Sequence, residues 1–432
     1  MKETIIQFGT GNFLRAFADA FVDELNKQGL YEGKIVIVSP TDSKNIETIN
    51  SQKGRYNLLI RGIENGKRVN TKNEINSISR GINPYRDFES FHALADDESF
   101  RFIISNTTEA GIAFDENCLF DDKPASSFSA KLTQLLYRRY KARLKGFAIF
   151  ACELIDNNAK ELKECVLKYA KLWELEEEFS LWIENENDFC NTLVDRIVTG
   201  FPKDNEICPD DKLLDVAEPY HFWAIEGDYE AELSFKKAGL NVIWCEDIYF
   251  YKKRKVRVLN GAHTAMVFPA LLCNIHTVGE CLKDEQIKAF LNKCLFDIIL
   301  PVLGETDENI TFAKAVSERF ENPYISHRLK SIALNSISKF SVRILPTMLE
   351  YKEKFGFYPK ELILSLVCLI KYYKENEVSG ENGYADFIKN NSAEAILKNK
   401  ALWGRDLSDL LPLINECSEF SDTRKAIQWS LS

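Results

Sequence analysis

Apolar residues fall into two alternating textures along roughly the first 250 positions of the chain. Thr4–Phe8, Lys34–Val38, Phe100–Ser105 and Gly146–Phe150 are short, nearly continuous apolar runs rich in β-branched and aromatic residues. That is the pattern of strands covered on both faces. Helical spacing of apolar residues marks Phe13–Leu25, Ser127–Tyr140 and Ala159–Trp173. Strand and helix in alternation predict an α/β domain with a parallel, doubly wound, Rossmann-like sheet. Tyr56–Ser79 differs: apolar and polar residues alternate around Glu64-Asn65-Gly66-Lys67, and Asn-Gly is a hairpin signal. An antiparallel insertion is expected there. From about Lys253 helical periodicity takes over, in Val258–Leu272, Asp284–Leu300, Ile325–Lys339 and Lys360–Tyr373, with a Gly-rich joint at Val378–Gly383. The expected domains are therefore 1–250, Rossmann-like, and 251–432, all-helical.

Composition narrows the function classes. The chain has 432 residues and a net charge of −10, from 55 Lys plus Arg against 65 Asp plus Glu. A nucleic-acid or anionic-membrane binder normally carries the opposite sign or a basic stripe, so a small molecule is the expected partner. Val258–Gly279 lacks Lys, Arg, Asp and Glu and is long enough to span a bilayer. Asn260, His263, Thr264, Pro269, Asn274 and His276 interrupt it, which makes a helix buried in protein the better reading. Met1-Lys2-Glu3-Thr4 has no signal-peptide character. The 11 cysteines include no CxxC pair and no zinc spacing. These features point to reduced thiols, no metal and the cytoplasm.

Two sequence features carry chemistry. Phe8-Gly9-Thr10-Gly11-Asn12-Phe13 lies between the first strand and the first helix. Glycines there permit a tight turn and a close approach of backbone N–H groups to a pyrophosphate. The third glycine of the dinucleotide fingerprint is replaced by Leu14. At the second strand tip, Ser39-Pro40-Thr41-Asp42 offers Asp42 to a ribose, whereas Lys44 would suit a 2′-phosphate. On these residues alone NAD and NADP both stand. Thr107, Thr108 and Glu109 follow the third of the predicted strands, at the end where a nicotinamide would lie. The second feature is Lys255, Asn260 and His263, at about 0°, 140° and 80° on an ideal helix and so on one broad face. A desolvated lysine can exchange a proton with an alcohol, an amide can stabilise an oxyanion, and a histidine can orient substrate. The bland alternative is a solvated Lys252-Lys253-Arg254-Lys255 run beside a satisfied core histidine.

Together the turn Gly9–Phe17 and the spacing Lys255-x4-Asn260-x2-His263 resemble the mannitol dehydrogenase family of polyol-specific long-chain dehydrogenases. Ile5–Gly9, Ser105–Ile112, Cys152–Asp156, Thr192–Gly200, Leu259–Ala265 and the stretch from Asn322-Pro323-Tyr324-Ile325 to Phe340 carry the likeness. It implies NAD as cofactor, no metal, Lys255 as general acid/base, Asn260 and Asn158 as oxyanion donors, and His263 in the substrate site. It further implies Asp195 and Lys339 as substrate contacts. Where mannitol-type members tend to have an arginine this chain has Ser331, which offers His327 or Arg328 for a substrate carboxylate. The likeness is greatest to members that act on hexuronic acids. That implies interconversion of D-tagaturonate and D-altronate in galacturonate breakdown, by a monomer or small homo-oligomer. Fructuronate or a mannitol-type polyol is the alternative substrate, and a nucleotide sensor without activity the more distant alternative.

Overall fold

The computed structural model describes residues 1–108, 110–202, 207–378, 381 and 383–432. Glu109 and three positions of the Gly-rich joint lie outside the described residues. The chain forms two compact units, Met1–Arg61 with Arg68–Tyr249, and Gly62–Lys67 with Phe250–Ser432.

The first unit is built on an eight-stranded sheet. In chain order its strands are β1 (Lys2–Phe8), β2 (Gly33–Val38), β5 (Ile78–Ile82), β6 (Phe102–Ser105), β7 (Ala148–Ala151), β8 (Asp188–Asp195), β10 (Phe222–Glu226) and β11 (Val242–Cys245). A smaller sheet holds β3 (Tyr56–Glu64), β4 (Lys67–Ile75) and β9 (Asp215–Ala217). The large sheet runs β11-β10-β8-β7-β6-β1-β2-β5, with every pair parallel except β8 against β10. Alternation along the central strands feeds two cores. Ile5, Ile35, Ile37, Phe102 and Ile104 face one layer, and Ile6, Phe8, Val36, Val38, Ile103 and Ile149 face the other. The chain reverses its direction of travel across the sheet between β1 and β6. A doubly wound sheet places its ligand at the carboxyl ends of the strands flanking such a switch point.

The predicted hairpin is present: Asn65 and Gly66 both take positive φ, 52° and 72°, as a two-residue primed turn requires. The expected insertion was too long, however. Ile78–Ile82 leaves it to lie parallel to β2, and β3 acquires a parallel neighbour, β9, three residues long and without a visible period. The helix expected over Phe13–Leu25 is two pieces, Asn12–Arg15 and Ala18–Lys27. It breaks at Phe17, whose backbone is non-helical and whose ring is buried in the core.

In the second unit one helical run passes from Tyr249 to Leu272, and Gly261–Ala270 is buried throughout. The helix Lys360–Glu375 packs along it and bonds across from Ser365 Oγ to the Ala265 carbonyl at 2.8 Å. Burial against protein, rather than lipid, accounts for the uncharged stretch, and no helix among the described residues is long and apolar enough to cross a membrane. The helix expected over Ile325–Lys339 is instead Leu329–Ile332 and Ser336–Arg343. Asn335 separates them in the left-handed region, φ 54°, which asparagine tolerates better than most residues.

Candidate active site

The glycine turn caps the switch point. Gly9 has φ +132°, and a Cβ there would stand 2.7 Å from the Asn106 carbonyl, so side chains are excluded by both backbone and space. Gly11 is the opposite case: a Cβ would meet nothing within 4 Å. It also caps the helix Asn12–Arg15 without any side-chain acceptor for the first-turn N–H groups. An open face lined by uncapped N–H groups fits a pyrophosphate. Leu14, in place of a third glycine, is buried core beside Gly9. Arg15 clamps the turn from below, donating to the Thr10 carbonyl at 2.7 Å and to Asn12 Oδ1 at 2.5 Å. Phe13 stacks on Phe17 with ring centroids 4.9 Å apart. At the β2 tip, Asn45 donates to Thr10 Oγ1 at 3.2 Å, and Asp42 accepts from Asn83 at 2.8 Å and from Arg86 at 3.4 Å. Arg86 also pairs with Glu47. The tip thus presents a held, exposed carboxylate, and its arginine is already shared between two acids. This suits a free ribose hydroxyl better than a 2′-phosphate.

Beyond β6, Thr108 takes φ +76°, an outlier for a β-branched residue of the kind that persists where surrounding contacts impose it. Glu153 supplies those contacts. It is 2% exposed and accepts from Ser105 Oγ, the Thr107 N–H and Thr107 Oγ1, each at 3.0 Å. Burial raises its pKa, against the pull of these bonds.

In the helical unit, Val256–Asn260 is a π-turn: the Gly261 N–H reaches the Val256 carbonyl, five residues back. Such turns are rare and concentrate at functional sites. The ideal-helix angles are corrected accordingly. A repeat of five stacks Lys255 and Asn260 on one line, and Asn260 and His263 follow as i,i+3 neighbours. The three side chains form a single stripe. His263 is buried, stacks on Phe320 at 4.2 Å, and meets the His327 ring edge-on at 5.1 Å. Thr264 Oγ1 donates to the Asn260 carbonyl at 2.9 Å and receives Arg343 Nη1 at 3.4 Å. Lys339 lies one turn before Arg343, its Nζ donating to the Ile332 carbonyl at 2.9 Å. The bland reading of the basic run fails at Arg254, which is buried over the Phe312 ring and paired with Glu308.

The sequence matches the mannitol dehydrogenase Rossmann domain over residues 3–238 and the mannitol dehydrogenase C-terminal domain over 247–422. The chain belongs to the mannitol dehydrogenase family. It is 43% identical to an altronate oxidoreductase of Bacillus subtilis (strain 168), covering 97% of this chain and 92% of the relative. It is 42% identical to one of Yersinia enterocolitica, covering 96% and 93%. The fold is that of a D-sorbitol dehydrogenase crystallised substrate-free, TM-score 0.85 at 23% identity over 99% of this chain and 95% of that one. It is also that of Pseudomonas fluorescens mannitol 2-dehydrogenase, seen in a ternary complex with NAD and D-mannitol, TM-score 0.71 at 20% identity over 100% and 94%.

Within this mannitol dehydrogenase frame the residues singled out in the sequence separate. Phe8–Phe13, Thr107 and Thr108 gather at the switch point; Lys255, Asn260, His263 and His327 gather in the helical unit. Asn158 must be corrected. Its amide donates to the Glu153 and Thr192 carbonyls, each at 3.0 Å, and its Oδ1 accepts from Thr192 and Ala159. Both N–H groups are spent on holding β8 to the helix Asn158–Leu172, and none is left for an oxyanion. Asp195 ends β8, buried and opposite Phe222. His327 is corrected as a carboxylate partner, because burial lowers its pKa and leaves the ring uncharged at neutral pH. Arg328 is exposed, with its backbone bridged to Thr277. Glu153 and Arg343 were missed. The Glu153 segment was noticed only as a likeness, and an arginine one turn after a lysine looks like an ordinary solvated face.

Proposed function

We propose that this protein is a NAD-linked oxidoreductase that interconverts D-tagaturonate and D-altronate. The observation that carries the reading is the 43% identity to an altronate oxidoreductase over 97% of the chain, with Lys255, Asn260 and His263 on one buried stripe. The open turn at Gly11 and the held Asp42 carboxylate support NAD rather than NADP. The bound nicotinamide supplies or accepts the hydride. In the reductive direction the Lys255 ammonium donates a proton to the substrate's carbonyl oxygen as the carbon is reduced. The Asn260 amide donates a hydrogen bond to the same oxygen while charge develops on it, and His263, held by Phe320, orients the sugar chain. In the oxidative direction neutral Lys255 takes the hydroxyl proton.

The test is NADH absorbance with purified protein and D-tagaturonate, beside D-fructuronate and D-fructose, each with and without chelator. Rapid, chelator-insensitive oxidation with tagaturonate and little with the others is expected. Preference for fructuronate or fructose would reassign the substrate, and NADH binding without turnover of any of them would overturn the enzymatic reading.

A further inference from the structure

The helix Ser336–Arg343 carries two cations that the fold does not use. Lys339 and Arg343 are i,i+4 and so share a face. Both are half-buried, and burial lowers the pKa of each; Lys339 is lowered further by Arg343 beside it. Two like charges drawn together out of water cost stability unless an anion joins them. The other deeply placed arginines of this unit show how the fold satisfies a structural guanidinium. Arg254 pairs with Glu308, and Arg257 donates to Glu350 at 2.7 Å and to Thr347 at 2.6 Å. Arg343 has no carboxylate within 4 Å among the described residues, and its one side-chain bond is the long contact to Thr264. The one acid acting on Lys339, Glu381, accepts instead from the Ile337 N–H, and burial raises its pKa.

The position of this unpaired guanidinium is also specific. Thr264, its contact, follows His263 and bonds the carbonyl of Asn260. The guanidinium is thereby tethered to the turn that presents two of the three stripe residues. A planar fork with free N–H groups matches a carboxylate bidentately, and an ammonium one turn away supplies a further donor.

From this geometry we infer that Arg343, with Lys339 beside it, receives the carboxylate of the substrate and makes the site select a sugar acid over the neutral polyol. The inference rests on the hexuronate reading of the function and names the residue that enforces it. Arg343 is a specificity residue, and the proton and hydride steps do not pass through it.

The test compares dissociation constants of D-altronate and of its neutral counterpart D-altritol, by calorimetry at saturating NAD+, for the wild-type protein, Arg343→Gln and Arg343→Lys. Charged hydrogen bonds of this kind correspond to about 10- to 100-fold in affinity. Wild type should prefer altronate by that margin. Arg343→Gln should lose the preference by weakening altronate alone, with altritol and NAD+ binding within about twofold. Arg343→Lys, which keeps the charge and loses the fork, should lie between. Should the glutamine variant fail to fold, the lysine variant gives the same reading. Equal wild-type affinity for acid and polyol, a preference unchanged in the variants, or parallel weakening of both ligands would each overturn the inference. The substrate reading is scored separately, by wild-type turnover of tagaturonate. A preference that depends on Arg343 in an enzyme that does not turn tagaturonate over would retain the carboxylate site and discard the substrate.

Discussion

The glycine turn and the Lys255–His263 stripe solve opposite problems. The turn works by withholding side chains. Gly9 is closed off by Asn106, Gly11 opens onto free space, and the functional groups are backbone N–H groups common to every residue. The stripe works by adding polar side chains to a helix that is otherwise buried and apolar, where each must be placed individually. A backbone site is specified by a few positions where nothing else fits, and it tolerates drift elsewhere, as Leu14 in the third glycine position shows. A side-chain site is specified by register, so its accuracy depends on the helix that carries it.

Replacing the stripe's proton carrier tests the contrast most severely. Lys255→Ala should lower turnover about 10²- to 10⁴-fold while the NADH dissociation constant, measured by fluorescence titration, stays close to wild type. A normal rate in the folded variant would remove Lys255 from the proposed chemistry. The two glycines should then part company. Gly9→Ala should destabilise the fold by about 1–3 kcal/mol, read from denaturant unfolding, because a left-region backbone and a carbonyl at 2.7 Å both oppose the methyl. Gly11→Ala should leave stability nearly unchanged and weaken NADH binding. Equal effects at both positions would break the distinction between a glycine of the fold and a glycine of the ligand.

A third variant probes the charges beneath the turn. Asp19 is fully buried, and burial pushes its pKa up to about 8, with Gln7 and Arg15 opposing; Asp215 is raised in the same way, to about 7. Between about pH 4 and pH 8 the folded protein therefore holds a proton on Asp19 that the unfolded chain has released, so this group's contribution to stability declines as pH rises through that window. Asp19→Asn should abolish the decline. Its melting temperature relative to wild type should climb from pH 5 to pH 8, and a difference independent of pH would show that Asp19 is ionised in the fold. At the small end, Lys398→Ala removes an exposed i,i+4 partner of Glu394 and should change stability by less than about 0.5 kcal/mol, whichever unit carries the function.

What the sequence revealed follows the same division. The central strands were legible because β1, β2, β6 and β7 are buried on both faces and read as unbroken apolar runs. The short β9, Asp215–Ala217, was not, since three residues show no period and its pairing with β3 is a tertiary choice. Neither the break at Phe17 nor the one at Asn335 carries a proline or glycine to announce it. Lys255, Asn260 and His263 were found by spacing, but their angular relation was misjudged because an α-helix was assumed. Arg343 was invisible for a simpler reason: its significance lies in an acid that is absent beside it, and absence in space leaves no mark in sequence.

The π-turn at Val256–Asn260 also bears on which insertions and deletions the chain could survive. The extra residue it accommodates is indistinguishable from its neighbours in a linear reading, yet removing any one residue between Lys255 and Asn260 would let the segment relax into an ordinary helix. Everything after it would then rotate by about 100° relative to everything before it. His263 would turn away from Lys255 although both residues remained. Length between Lys255 and Asn260, more than the identity of the residues that fill it, is therefore the inherited quantity, and a library that varies those four positions should keep activity far more often than one that shortens them by one.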